Sequence, residues 1–268
     1  MAIAHFSSEL FWLILFVSIF TRYFILAGAA FLVFYVLRKN KWAVAKIQNR
    51  FPGNADYRRE VLYSLCSVAI FASTAWLLLK SPIAPYTHIY RDFSAYGTGY
   101  FIGSIFFMMV LHDTYFYWTH RLLHHPKLFK ISHLIHHKSH NPSPWAAYAF
   151  HPVEGVVEAG ILWVIAFSIP VHVGALSLFF FFSIAFNVLG HLGYEIFPKG
   201  MDKHWLGQWI NTSTNHNMHH KYGRHNYGLY FTFWDKMMGT THPRYHETFE
   251  EVTRRRSASA PRMAPSKN

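Results

Sequence analysis

An all-α, multi-span integral membrane protein with a cytoplasmic, His-rich di-metal helical cap is the fold class that this 268-residue sequence predicts. Three observations lead there. Long apolar runs alternate with polar stretches, so 52% hydrophobic and 19% aromatic residues coexist with a mean hydropathy of only +0.10. Of the 20 histidines, all but His5 and His88 fall between His112 and His246. Lys and Arg flank the apolar runs and give a formal net charge of +12. Basic residues in that position point to an anionic membrane surface rather than to nucleic acid. The one cysteine, Cys66, excludes an intrachain disulfide and thiolate metal sites.

Residues 9–37 are nearly uncharged, with Arg22 the one interruption. A helical span needs about 20 apolar residues, so this stretch predicts one tilted or kinked span rather than two. Met1–Ser8 lacks the basic start of a secretory signal, and no cleavage is expected. Residues 61–79 predict a second span. Residues 100–111 continue into the aromatic run 115–118 and predict a third. Residues 156–187 hold Pro170 near their middle and predict a helical hairpin or two further spans. Three units follow: 1–111, spans and a basic loop; 112–246, the His-rich unit with a membrane hairpin at 156–190; and 247–268, a basic tail expected to be disordered.

Orientation follows from the basic residues. Arg38, Lys39, Lys41, Lys46, Arg50, Arg58 and Arg59 crowd the first polar loop, whereas residues 80–99 carry only Lys80 and Arg91. The positive-inside bias places the first loop in the cytoplasm. Two spans later residues 120–151 are on that side, and a hairpin returns residues 191–246 to it. All His groups then meet at one face.

The groups are His120-Arg-Leu-Leu-His124-His125, His133-Leu-Ile-His136-His137 and His216-Asn-Met-His219-His220. Positions i, i+3 and i+4 share a helix face, so each group is expected to aim its imidazoles at one point. Neutral imidazole is a common ligand of transition metals. His120 pairs with His124 at one spacing and with His125 at a longer one, and both remain candidates. His191 leaves the last apolar run toward these groups and is read as a further ligand. His140 reads as a solvated loop residue. His151, just before Pro152, reads as a substrate contact or a helix cap before a ligand. Asp113 sits two turns before His120, as a carboxylate behind a ligand or as an interfacial charge, and Glu195 reads as another carboxylate behind the ligands. Even with one of His124 and His125 set aside, nine imidazoles exceed the roughly six positions of one first-row ion, so two metals are implied. No H-E-x-x-H occurs, and iron is inferred over zinc.

At these residues the chain resembles the fatty acid hydroxylase superfamily, the membrane non-haem di-iron enzymes that include sterol desaturases and sterol methyl oxidases. Residues 117–126 (YWTHRLLHHP) resemble its first box, and 133–137 and 216–220 its second and third. The runs His136-His137-Lys138, Pro142-Ser143-Pro144, Ala149 to Gly155 and Asn226-Tyr227-Gly228 followed by Trp234-Asp235 are similar to the sterol C-5 desaturase branch. Tyr148 departs from that branch, which tends to have His there. Residues 190–195 (GHLGYE) are closer to sterol C-4 methyl oxidases.

The resemblance implies O2-dependent hydroxylation or desaturation of a C–H bond on a sterol-like or fatty acyl lipid. It implies two iron ions held by histidines from among His120, His124, His125, His133, His136, His137, His191, His216, His219 and His220, with no catalytic side chain beyond the metal centre. Asp113, His151, Glu195 and Asp235 are expected behind the ligands or against substrate. No stretch reads as a fused cytochrome b5 domain, so a separate donor is expected: cytochrome b5 or ferredoxin with an NAD(P)H reductase. The endoplasmic reticulum of a eukaryote or a bacterial inner membrane would house it. Two other classes compete, a membrane zinc hydrolase and a non-enzymatic metal-binding or transport protein. Transporters place polar ligands near the midplane, whereas these histidines lie beyond the apolar runs.

Overall fold

The computed structural model describes residues 6–258. Helix α1 (Ser8–Phe31) starts where the Ser7 hydroxyl accepts the Leu10 N–H and runs without a break into a π-helical segment, Leu32–Leu37. One long helix therefore fills the first apolar stretch, as expected. A short helix α2 (Lys39–Trp42) turns the chain toward α3 (Asn54–Lys80), whose first turn is tied by Asp56 to the Gly53 N–H and to Arg59. The Trp12 indole donates to Ser73 Oγ at 3.0 Å, which pairs the start of α1 with the end of α3.

Helix α4 (Gly97–Leu123) ends just before Pro126, which opens α5 (Pro126–Ser132). Proline suits a first helical turn and cannot continue a preceding one. The four-residue α6 (Leu134–His137) follows. Helix α7 (Pro152–Ser168) starts on a His151 cap with Pro152 in its first turn, and α8 (Val173–Gly190) starts on a His172 cap. The expected hairpin is thus two helices, broken at residues 169–172 where Pro170 lacks a backbone donor. There β2 (Val171–His172) pairs in parallel with β1 (Ile89–Tyr90).

Of the described residues, three helices are long and apolar enough to cross a membrane: α1 with its extension, α3 and α8. Their outward residues, such as Leu13, Val17, Phe24 and Leu62, are exposed, as lipid contact requires. The third expected span lies within α4, which together with α7 is packed among these three helices. Both carry buried polar residues, His112 and Asp113 in α4 and Glu154 and Glu158 in α7. The ends at Leu37, Asn54, Leu123, Pro152 and Gly190 all meet the polar cap, whereas the β1–β2 pair lies at the opposite end of the bundle.

The cap contains α9 (Ser213–Tyr222), α10 (Phe233–Met237) and α11 (Tyr245–Ala258). Helix α11 corrects the expectation of a disordered tail over 247–268 as far as Ala258; residues 259–268 lie outside the described residues. Phe249, Val252 and Thr253 are buried, and Phe249 packs with Met218 of α9. Arg256 donates to the carbonyls of Glu195 and Phe197, and Arg255 to that of Lys46. A polar composition hid an apolar stripe at helical spacing. Phe249→Ala is expected to destabilise the cap by about 3–5 kcal/mol, read as a lower thermal midpoint of the purified protein. An unchanged midpoint would mean that α11 does not hold the cap.

Candidate metal centre

Nine imidazoles converge in two adjoining groups. His120, His124, His133, His137 and His219 form one; His136, His191, His216 and His220 form the other. In each, one ring nitrogen per residue lies within 4.8 Å of all the rest. Helix geometry explains the partition. The i, i+4 pairs His120/His124, His133/His137 and His216/His220 each stay together. His136 and His219, adjacent to the second members of their pairs, point elsewhere and cross to the other group. The expectation that each H-x-x-H-H aims three rings at one point is corrected here: successive residues on a helix are turned by about 100°, so His136 and His137 face different groups.

Backbone acceptors set the tautomers of three rings. His120 Nδ1 lies 2.9 Å from the Tyr227 carbonyl, His219 Nδ1 2.7 Å from that of His225, and His191 Nδ1 2.8 Å from that of Asn187. A carbonyl only accepts, so each Nδ1 donates and each Nε2 keeps a bare lone pair. His133 Nδ1 lies 2.8 Å from Glu154 Oε1, with both side chains buried. The Nε2 atoms then face one another closely: 3.1 Å for His120–His133, 3.0 Å for His137–His219, and 3.3 Å for His136–His191. His191, His216 and His220 approach pairwise to 3.1–3.2 Å.

The Nδ1 of His120 donates to a carbonyl, so its Nε2 turns a bare lone pair on the His133 Nε2 3.1 Å away, an arrangement that a shared cation satisfies. Imidazole binds first-row ions at about 2.0–2.1 Å, which places neighbouring donor atoms near 3 Å from each other. The residues therefore fit metal. Burial, reinforced by neighbouring imidazoles, pushes His136, His137, His216, His219 and His220 well below the ordinary imidazole value. They are neutral near pH 7, the form that binds metal.

Other candidates fall outside the two groups. His125 is corrected: it is exposed and its ring caps α5, accepting the Lys127 N–H, because α4 ends before it and turns it outward. His151 caps α7 through the Val153 N–H. Asp113 touches no imidazole; it accepts the backbone N–H groups of Tyr230 and Phe231. Asp235 accepts those of Tyr227 and Gly228, which fixes the carbonyl that holds His120. Glu195 accepts the N–H groups of Phe197 and Thr214 and so anchors the start of α9. These three carboxylates position backbone rather than rings.

Sequence reasoning missed Glu154, whose place in the first turn of α7 reads as an ordinary favourable charge near a helix start. It also missed Glu60 of α3, which accepts from Ser139 at 2.8 Å and from Ser143, and so ties the loop after His137 to the bundle.

Beneath the two groups lies a cavity of about 230 Å³ between α1, α3, α4, α7 and α8. Its upper wall includes Phe116, whose ring centre is 4.9 Å from that of His120, and Phe150, 5.2 Å from His136. Most of its lining is apolar and extends down to Leu79 and Val173. The arrangement can hold two cations against the mouth of an apolar chamber.

Residues 105–240 match the fatty acid hydroxylase family model. The chain is 32% identical over 191 residues to a Delta(7)-sterol 5(6)-desaturase of Gibberella zeae, 31% over 186 to the lathosterol oxidase of Homo sapiens, and 33% over 185 to a Delta(7)-sterol 5(6)-desaturase of Leptosphaeria maculans. These alignments cover 71%, 68% and 68% of this chain, and 57%, 60% and 49% of the relatives. The chain therefore spans about half to three-fifths of the length of those proteins. No solved structure matches it.

Proposed function

The chain belongs to the fatty acid hydroxylase family, and on that premise we propose that it is a membrane-bound, O2-dependent oxidoreductase that desaturates or hydroxylates a sterol-like or fatty acyl lipid. The observation that carries this reading is the pair of all-imidazole groups, Nε2 atoms facing inward, directly above an apolar cavity. Two iron ions held by the nine histidines would supply the activation of O2 needed to remove hydrogen from an unactivated C–H bond. The surrounding side chains do the rest. The carbonyls of Asn187, Tyr227 and His225 keep His191, His120 and His219 in one tautomer and orientation, and Glu154 stands 2.8 Å from His133 Nδ1. Phe116 and Phe150 form an apolar wall where the lipid would meet the centre. An external donor, cytochrome b5 or ferredoxin with an NAD(P)H reductase, would bring two electrons per turnover.

Neither group contains a carboxylate, and both lie at the helix ends rather than midway along the bundle. A zinc hydrolase and a transporter are less well served by that arrangement. Iron-loaded protein given NAD(P)H, a reductase system and a lipid extract is expected to consume O2 only when lipid is present. Equal product under strict anaerobiosis would overturn the oxygenase reading.

The cap is read as cytoplasmic from the basic loop between α1 and α3. Cysteines introduced at the exposed Lys138 and Arg224, with Cys66 replaced, are expected to react only with a reagent on that side. Labelling from the outer side alone would reverse the topology.

A further inference from the structure

The cavity wall is apolar along most of its length, with Phe71, Ala75, Leu78, Ile161 and Leu176 among its residues. Glu158 breaks that pattern. It lies on α7 one turn beyond Glu154, is only 9% exposed, and lines the cavity. Glu154 Oε1 stands 2.8 Å from His133 Nδ1, whereas Glu158 has no hydrogen-bond or ion-pair partner among the described residues. A carboxyl group buried among apolar side chains without a partner is unfavourable, and one within a membrane bundle marks a site of use.

His112 of α4 lines the same cavity. Its Nδ1 meets the Tyr230 hydroxyl at 2.8 Å, and its Nε2 has no hydrogen-bond partner among the described residues. Arg22, the cavity's guanidinium, differs from both: it already donates to the carbonyls of Ser18 and Ser177. Glu158 and His112 thus keep unpartnered polar atoms at the cavity, where Tyr148 also presents a hydroxyl without a hydrogen-bond partner among the described residues. By helical rise Glu158 is about 6 Å below Glu154, and His112 about 12 Å below His120.

We propose that Glu158, assisted by His112, binds the hydroxyl group of the lipid substrate. The inference deepens the reading of the cavity as the substrate chamber and rests on it. A hydroxyl both donates and accepts, so it satisfies a carboxyl group in either protonation state and an imidazole nitrogen in either tautomer. A hydrocarbon leaves both groups unpaired. The hydroxyl end of the substrate therefore lies near the metal centre, and the apolar body extends toward Leu78 and Val173. A ring alcohol and a linear long-chain alcohol share this chemistry.

The test uses metal-loaded, full-length protein kept anaerobic in nanodiscs and equilibrium binding of two matched pairs, cholestanol against cholestane and hexadecanol against hexadecane. Each is corrected for partition into empty nanodiscs. The wild-type chain is expected to prefer the alcohol of at least one pair by at least about tenfold. Selectivity in the sterol pair assigns a ring alcohol, and selectivity in the linear pair assigns a chain alcohol. Glu158→Leu is expected to bring the preference close to unity, and Glu158→Gln, which can still donate and accept, to retain most of it. No preference in either pair, or a preference that Glu158→Leu leaves intact, overturns the proposal. Because binding is read without turnover, alcohol selectivity without O2-dependent turnover would overturn the oxygenase reading and leave the subsite standing.

Discussion

His219→Ala is expected to empty the five-imidazole group and lower lipid oxidation by more than about 100-fold, since even residues behind a ligand cost 10–100-fold. His219 is fully buried, and its Nε2 lies 3.0 Å from that of His137 and 3.2 Å from that of His124. Its Nδ1 is committed to the His225 carbonyl, so the ring has one orientation and one free lone pair. The adjacent His220 cannot replace it, because it belongs to the other group. His136→Ala should empty the four-imidazole group in the same way. Iron per chain, expected at about two, should fall toward one in either variant. His125→Ala is the control. It removes a cap of at most about 1 kcal/mol and should leave iron and turnover intact. If His125→Ala lost as much iron as His219→Ala, the partition into ligands and capping residue would be wrong.

Glu154→Ala is the second large effect. Its Oε1 lies 2.8 Å from His133 Nδ1 inside the protein, and no other described carboxyl group stands against that nitrogen. Without it His133 is free to turn or to take the other tautomer, with its proton on Nε2 facing His120. Metal affinity or turnover should fall about 10–100-fold. Glu154→Gln keeps an acceptor oxygen but lowers the basicity of the imidazole, so a smaller loss is expected. Iron titration at constant helical content by circular dichroism separates this from unfolding. Wild-type affinity in Glu154→Ala would show that His133 is held by its packing alone.

Spacing at i, i+4 is local, so the pairs His120/His124, His133/His137 and His216/His220 were legible from the chain alone. So were the helical class, the single long first span and the break at Pro170. The choice between His124 and His125 was not, since both spacings occur. It depends on where α4 stops, and that is set by Pro126 together with the packing of α5. The tail was misread because a residue's exposure depends on its neighbours in space. Phe249 and Val252 matter only because α9 lies beside them.

By itself, then, the sequence determined that this is a helical membrane protein with enough neutral imidazoles for two metals, all brought to one end of the bundle. Periodicity and composition act within a few turns of chain and survive without tertiary context. Only the tertiary structure decided which imidazole joins which group, that Glu154 rather than Asp113 or Glu195 stands against a ring, and that Glu158 lines the cavity without a partner among the described residues. Those assignments depend on distances between residues far apart in sequence. His133 and Glu154 are separated by a loop and a helix start, and His120 and His219 by α5 through α8. The physical reason is that a ring nitrogen's partner is set by the packing of whole helices against one another, which no local pattern encodes.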